Sequence, residues 1–184
     1  MLFLTLPSVT YKESFLQSVE EFHDESRQLY YDTKRISRDF AGFVQSLLDH
    51  EDRTKTKLER IPSTEYWLID GEEVVGGLNL RHELNDILLR IGGHIGYEIR
   101  PSKRRQGYGK EILRLGLEKA RERGFRRVLV TCDANNIGSK KIIEYNGGVF
   151  ENAVDVPRSP VKRLRYWITI DPTDTTASSS RLAG

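Results

Sequence analysis

The sequence predicts a single α/β domain in which about four helices cover the faces of a mixed sheet. The chain has 184 residues, which is enough for one domain with a sizeable core. Hydrophobic residues make up 38% of it and charged residues 30%, as is usual for a soluble globular protein. The elements follow in the order β-α-α-β-β-β-α-β-α-β-β, and this alternation is typical of helices packed on a sheet.

The first half of the chain begins with a predicted strand at 2–6 and continues with two helices. The first helix carries an apolar stripe at i, i+4 and i+7. The second has a longer stripe of the same kind. The stretch 51–60 is almost wholly polar, so we interpret it as a solvated connection or a frayed helix end. The two stripes consist of Phe15, Val19 and Phe22, and of Ile36, Phe40, Phe43, Val44, Leu47 and Leu48.

A hairpin is predicted next, because two β-rich runs, TEYWLID and VVGGLNLRHEL, flank an Asp70-Gly71 turn. The segment NDILLRIGG fits either a loop or a short helical turn. HIGYEIR, residues 94–100, is then predicted as a strand that ends at Pro101.

The second half alternates more regularly. A helix is predicted over 107–123, and Gly124 follows it as the residue that ends a helix in a left-handed conformation. RRVLVTCD is a strand, GSKKIIEYN is a short helix, and GVFEN and VKRLRYWITI are the final strands. The remaining residues, 171–184, are small and polar, so we predict a disordered tail after a domain of residues 1–170.

Composition excludes several classes of protein. The net charge of +2 offers no general argument for nucleic acid. The single cysteine, Cys132, rules out an internal disulfide and suits a reducing cytoplasm. No apolar run reaches the ~20 residues needed to cross a bilayer, and the opening MLFLTLPSV lacks the basic leader of a signal peptide. We therefore expect a cytoplasmic protein without a membrane partner.

The segment IRPSKRRQGYGKEIL, residues 99–113, carries the clearest chemical signal. A strand ends, a basic glycine-containing loop follows, and a long helix begins with unpaired N–H groups that attract phosphate. Gly107 and Gly109 would let a pyrophosphate approach the backbone. Residues 100–127 hold eleven Lys and Arg against three Glu, a net charge of +8. A polyanionic ligand is therefore predicted in this half.

On the loop alone, two interpretations stay open, since a basic helix is often only a solvated surface. The loop is not a Walker A sequence, because no Gly-Lys-Ser/Thr closes it. It also lacks the glycine spacing of a dinucleotide-binding fingerprint and stands in mid-chain after a hairpin.

Two motifs together resemble the GNAT superfamily of N-acetyltransferases. Arg104-x-x-Gly107-x-Gly109, after an I-x-P strand end, resembles motif A, and Asn136-x-x-Ser139 resembles motif B. The order of elements resembles that family over about residues 2–170. The run from LNLRH to NGG resembles a bacterial-type subgroup known only as predicted acetyltransferases.

The resemblance implies a mostly antiparallel sheet whose strands at 94–100 and 126–132 splay apart to admit the pantetheine arm of acetyl-coenzyme A. The main chain of Ile99 would pair with that arm, and Asn136 would hydrogen-bond it with Ser139 nearby. The acetyl group would pass directly to the amine of a small molecule or peptide, without an acyl-enzyme. The pyrophosphate would be bound by the loop residues Arg104, Arg105, Gln106, Gly107, Tyr108, Gly109 and Lys110.

One position departs from the family pattern. The family often has a tyrosine seven residues after the motif B asparagine, which protonates the departing thiolate. This sequence has Ile143 there. Tyr145 is two residues further on, roughly 200° around the helix, and is expected to face elsewhere.

Three side chains are candidates for the base that takes a proton from the amine. His94 and Glu98 share one face of their strand, and His82 lies in the neighbouring hairpin. We rank His94 first because an unperturbed histidine pKa is about 6.5, then Glu98, then His82, and a structural role stays open for each. No cluster at ligand spacing predicts a metal site.

Two other functions are weighed against the enzyme. A non-catalytic coenzyme A-binding module would also explain the motifs, and Ile143 favours it. A nucleic-acid binder is disfavoured, because Tyr108 and Phe125 are the only aromatic residues in the basic segment. The sequence leaves a homodimer open and does not identify the acceptor.

Overall fold

A seven-stranded sheet forms the centre of the protein in a computed structural model that describes residues 1–55 and 61–170. The strands lie side by side in the order β1-β2-β3-β4-β5-β7-β6. Every neighbouring pair is antiparallel except β4 and β5, which are parallel, so the predicted mixed, mostly antiparallel sheet is confirmed. The strands are β1 (Leu2–Thr5), β2 (Ser63–Asp70), β3 (Glu73–Arg81), β4 (Ile95–Ile99), β5 (Arg127–Asp133), β6 (Val149–Val154) and β7 (Arg163–Thr169).

The helices agree with the prediction except that the second one is two helices. Asp39 interrupts it, because its carboxylate accepts a hydrogen bond from the Gly42 N–H at 2.9 Å and starts a new helix. The ambiguous segment NDILLRIGG contains a π-helical turn at Leu88–Gly92. The helices are α1 (Lys12–Asp24), α2 (Thr33–Arg38), α3 (Phe40–Leu48), α4 (Tyr108–Glu122) and α5 (Ile137–Tyr145).

The sheet buries a different core on each face. On one face, α4 and α5 pack against the even-numbered residues of β2, including Tyr66 and Leu68. On the other, α1, α2 and α3 cover Trp67 and Ile69. Successive residues of a strand point to opposite faces, so the parity of a residue decides which set of helices it meets.

The two central strands, β4 and β5, are paired only where β4 begins, opposite the middle of β5. Ile95 opposite Val130 is their single paired position, and the strands separate beyond it. Along β4, the N–H and carbonyl groups of successive residues point alternately towards β3 and towards β5. Arg100 N–H bonds to Val75 on β3 at 3.0 Å, so the main-chain groups of Tyr97 and Ile99 point the other way, into the gap. The predicted splay is confirmed.

Turn chemistry follows the sequence closely. Gly71 in the β2–β3 hairpin and Gly124 after α4 have φ values of 62° and 82°, where glycine costs least. The predicted tail, 171–184, lies outside the described residues, as does the part of the polar connection at 56–60. Within the described ranges, no helix combines the length and the hydropathy needed to span a membrane.

Candidate functional site

The loop that leads into α4 leaves the first turn of that helix open. Gly107 precedes the helix with φ 93° and has no side chain to cap it. The first N–H groups of a helix have no partner within the helix, so here they face outward at the positive end of the helix dipole. Arg105 adjoins them, exposed and in the left-handed region at φ 64°. This terminus can hold a phosphate.

Two of the cations predicted near this terminus are bound elsewhere. Arg104 makes a two-pronged ion pair with Glu25, the residue that follows α1, at 2.7 and 2.8 Å, and donates to the carbonyl of Ile99 at 3.2 Å. Lys103 pairs with Glu73 at 2.6 Å. Arg104 therefore ties the loop to α1 and to the end of β4, and its charge is largely neutralised.

Two cations remain available to a ligand. Arg105 has no acidic partner among the residues described, and Lys110 lies 3.9 Å above the ring of Tyr145 at the surface. Gln106 donates to the carbonyl of Ser102 at 3.1 Å and so holds the loop closed. Charge for a phosphate thus comes from two exposed side chains.

Gly109 and Tyr108 have packing roles at the start of α4. A Cβ at Gly109 would lie 2.5 Å from the Cδ1 atom of Ile142, so the glycine lets α4 and α5 approach closely. The hydroxyl of Tyr108 donates to Asp70 at 2.7 Å and fixes the helix to the β2–β3 hairpin. The absence of a side chain at Gly109, which the sequence analysis related to pyrophosphate binding, is therefore needed for the packing of α4 against α5.

The start of α5 lies beside the gap between β4 and β5. Asn136 caps this helix by accepting from the Ser139 N–H at 2.9 Å. The Ser139 hydroxyl lies 2.9 Å from the hydroxyl of Tyr97, whose side chain reaches from β4 across the gap. Burial raises the pKa of Tyr97, so its phenol stays protonated at neutral pH. Two hydroxyl groups therefore stand at the gap.

The position in α5 seven residues after Asn136 holds Ile143 and no tyrosine. Ile143 is completely buried in the core, whereas Tyr145 is 64% exposed on the outer side of α5. Tyr145 therefore faces away from the gap.

A cavity of about 590 Å³ lies on the opposite face of the sheet, below α3 and the segment that joins α1 to α2. Its floor is formed by β2, β3 and β4, where Gly77 and Gly96 leave the sheet surface bare. Polar and charged side chains stand around these glycines on the same face of the sheet. They are Ser63, Glu65, Asn79, Arg81 and Glu98.

Glu65 is the carboxylate of the cavity with the most strongly raised pKa. Burial raises its pKa to about 7, although it accepts a hydrogen bond from the Asn79 amide at 3.0 Å. No donor among the described residues reaches its other oxygen, which lies on the Gly77 side. A carboxylate that titrates near neutral pH can accept a proton during a reaction.

Glu98 also lines the cavity, but it is engaged by the segment that joins α1 to α2. Gln28 donates to one of its oxygens, and Arg27 reaches the other at 3.4 Å. Burial raises the pKa of Glu98, and the Gln28 hydrogen bond opposes that rise. Glu98 therefore holds the α1–α2 connection against β4 in addition to facing the cavity.

The two candidate histidines lie outside this cavity. His94 is buried, its Nδ1 atom accepts from the Leu129 N–H at 2.9 Å, and its ring contacts Phe125 and Trp167. Burial, with the nearby arginine charges, lowers its pKa to about 4. His82 accepts or donates at 2.9 Å to Thr64 and borders a separate hollow. Both have evident structural contacts.

Two cavity residues, Glu65 and Arg81, were not singled out from the sequence. The signal was present, since each is a charged residue at an inward position of a β-rich run. Glu65 lies two residues before the buried Trp67 and shares its face of the strand, and a charge at such a position usually has a partner or a function.

The sequence matches the family model described as an acetyltransferase (GNAT) domain over residues 18–149. No protein of curated function matches it significantly in sequence.

Solved structures of the same fold cover almost the whole chain. RimL, a ribosomal L7/L12 alpha-N-protein acetyltransferase in complex with coenzyme A, is 18% identical with a TM-score of 0.67, over 93% of this chain and 95% of that one. RimJ of Mycobacterium smegmatis with a coenzyme A disulfide is 17% identical, TM-score 0.65, over 91% and 81%. The microcin C7 self-immunity acetyltransferase MccE, in complex with acetyl-CoA and AMP, is 12% identical, TM-score 0.65, over 92% of each chain. At these identities the likeness establishes the fold.

Proposed function

The chain belongs to the GNAT acetyltransferase family, and on that premise we propose that it transfers the acetyl group of acetyl-coenzyme A directly to an amine. The observation that carries the proposal is the gap between β4 and β5. The open N-terminus of α4 lies on one face of the sheet and the polar cavity on the other, and the arm of the coenzyme would pass between them through this gap. RimL, RimJ and MccE, which share the fold, were solved with coenzyme A, its disulfide or acetyl-CoA.

The residues present fit the coenzyme in three places. The first-turn N–H groups of α4, with Arg105 and Lys110, would hold the pyrophosphate. The main-chain groups of Tyr97 and the N–H of Ile99 point into the gap and could pair there with an extended arm, whereas the Ile99 carbonyl already accepts from Arg104. The amide N–H₂ of Asn136 is free, because only its oxygen is used in capping α5. When bound, the coenzyme supplies an activated acetyl group.

The cavity residues would prepare the acceptor. An amine is protonated near neutral pH and has to lose a proton before it can attack. We assign Glu65 as the proton acceptor, with Glu98 as the second candidate, because both face the cavity. The Tyr97–Ser139 pair of hydroxyls, or water, would donate a proton to the sulfur of the coenzyme as the C–N bond forms and the C–S bond breaks. His94 and His82 would then act structurally.

A coenzyme A-binding module without catalysis remains the second candidate, and the buried Ile143 is the observation that favours it. Release of the coenzyme A thiol with a panel of amines separates the two functions. Release that depends on the amine supports the enzyme. Coenzyme binding without release from any amine supports the module. A cytoplasmic location is part of the enzyme proposal, since the free Cys132 suits a reducing compartment.

Coenzyme binding is tested by reversing single charges. Arg105→Glu and Lys110→Glu should each weaken acetyl-coenzyme A at least tenfold in calorimetry, because each removes a charge-assisted contact and adds a repulsive charge. They should also reduce the rise in melting temperature that the coenzyme causes. Arg126→Glu is the matched control, since Arg126 is exposed in the same basic segment beyond the far end of α4. Equal weakening by all three variants would mean that only the overall charge matters.

A further inference from the structure

The cavity holds one cation whose charge is not matched by a carboxylate. Arg81 lies at the end of β3, where its Nη1 atom donates to the carbonyls of Gly92 and Gly93 at 3.3 and 3.0 Å. These two bonds fix the plane of the guanidinium group. Its Nε and Nη2 atoms have no hydrogen-bond partner within residues 1–55 and 61–170.

The nearby acids do not pair with Arg81. Glu98 is engaged by Arg27 and Gln28, and no oxygen of Glu65 lies within ion-pair distance of the guanidinium in the described structure. Glu65 attracts the guanidinium only from a distance, and a guanidinium that is partly withdrawn from water without an anion in contact lacks much of the interaction that normally offsets its desolvation. An anion from outside the chain would supply it.

The free edge of Arg81 faces the part of the cavity where the acceptor would bind. Gly96 has no side chain there, and a Cβ at that position would lie 3.7 Å from Nη2. Glu65 on β2 is opposite Asn79 on β3, and Asn79 lies two residues before Arg81. Glu65 and Arg81 are therefore diagonal neighbours on one face of the sheet, with Cα atoms roughly 7–8 Å apart. One small molecule can contact both side chains.

We infer that Arg81 binds an anionic group of the acceptor, so that the preferred substrate is a small amine carrying a carboxylate or a phosphate a few atoms from its nitrogen. The planar guanidinium suits either group, because two parallel N–H donors match two oxygens. This inference rests on the proposed acetyl transfer and adds the substrate class. An amine without an anion, such as an uncharged peptide N-terminus, would leave Arg81 unsatisfied.

The test compares matched acceptors with and without the anion. We expect kcat/KM to be at least tenfold higher for tyrosine than for tyramine, or for phosphoethanolamine than for ethanolamine, and the pair that shows the preference identifies the anion. Arg81→Gln should reduce that ratio towards one. Arg90→Gln, in the Leu88–Gly92 turn that Arg81 contacts but outside the cavity, should keep it. Equal use of both members in both pairs, or a ratio retained in Arg81→Gln, would overturn the inference.

Binding of reaction products to the unaltered protein gives a second measurement, which is needed if Arg81→Gln fails to fold. In calorimetry with coenzyme A present, N-acetyltyrosine should bind at least tenfold more tightly than N-acetyltyramine, or N-acetylphosphoethanolamine more tightly than N-acetylethanolamine. Equal affinities in both pairs contradict the anion site. If the acids bind preferentially but no amine is acetylated, the anion site stands and the proposed transferase activity fails. If both members of each pair are acetylated equally, the transferase activity stands and the anion site fails.

Discussion

Glu65→Gln is expected to abolish most activity while it stabilises the folded protein. The substitution keeps the shape of the side chain and an oxygen for the Asn79 hydrogen bond, but it removes the ionisation. Glu65 has a pKa of about 7 in the folded protein, against 4.5 for an ordinary glutamate. The same carboxylate is therefore a suitable base and a source of instability.

The effect on activity follows from the fraction of Glu65 that is ionised. With a pKa of about 7, half of the carboxylates are ionised at pH 7 and about a tenth at pH 6, so kcat/KM of the parent should fall about fivefold between pH 7 and pH 6 and about tenfold per pH unit below that. Glu65→Gln should lower kcat/KM at pH 8 by at least ~100-fold and remove this dependence. Acetyl-coenzyme A affinity should stay at the parent value.

The effect on stability has the opposite sign. The folded pKa lies above the unfolded one, so the unfolded chain loses its proton first, and stability falls as pH rises from about 4.5 to 7. The shift corresponds to about 3 kcal/mol of unfolding free energy at pH 8, taken as an upper limit. In urea denaturation, Glu65→Gln should match the parent near pH 4 and exceed it by up to that amount at pH 8.

Glu65 is not the proton acceptor if Glu65→Gln retains activity within a few-fold of the parent and keeps the same pH dependence. Glu98→Gln is the companion variant, because Glu98 is the second candidate in the same cavity. If that variant loses the pH dependence instead, Glu98 is the base. A Glu65→Gln protein that is less stable than the parent at pH 8 would show that the carboxylate is stabilised by contacts other than those described.

Two further substitutions test the packing around the site. Gly116→Ala places a Cβ 2.3 Å from the Cδ1 atom of the buried Leu78, so urea denaturation should show a loss of about 1–3 kcal/mol although alanine favours helix; an equal or greater stability would contradict the tight α4–β3 contact. Arg100→Met leaves Glu21 without the buried guanidinium that binds it at 2.8 Å and should cost about 3 kcal/mol, whereas Arg114→Met, which breaks exposed pairs, should cost less than about 1 kcal/mol. Equal losses in the two arginine variants would show that burial of Arg100 adds nothing.

Most of the fold could be predicted because its signals are local. Alternation identified the β2–β3 hairpin, and the Asp70-Gly71 turn marked its end. Helical periodicity identified α1 and α4. The one misjudged helix was divided at Asp39, where a capping hydrogen bond competes with continuation of the helix. Periodicity does not detect such an interruption, because the apolar stripe continues across it.

The candidate site could be predicted only in outline. The resemblance of two motifs located the loop before α4 and the start of α5. Counting seven residues on from Asn136 identified Ile143 at the position where the family often has a tyrosine, and this residue is buried in the core. The basic loop was recognised, but not which of its charges are free. Among the proposed bases, only Glu98 lies at the cavity. Glu65 was missed because its importance depends on the neighbouring strands and not on its own segment.

Sequence alone therefore determined the order of elements, the family and the position of the basic helix terminus, since each depends on residues close together in the chain. The tertiary structure decided which charged side chains are held in ion pairs and which can still bind a ligand. Arg104 is paired with Glu25, 79 residues away, whereas Arg81 keeps donors free beside Gly96. The reason is that desolvation and ion pairing act between groups close in space, and the sheet register that sets those distances forms only when the whole chain folds.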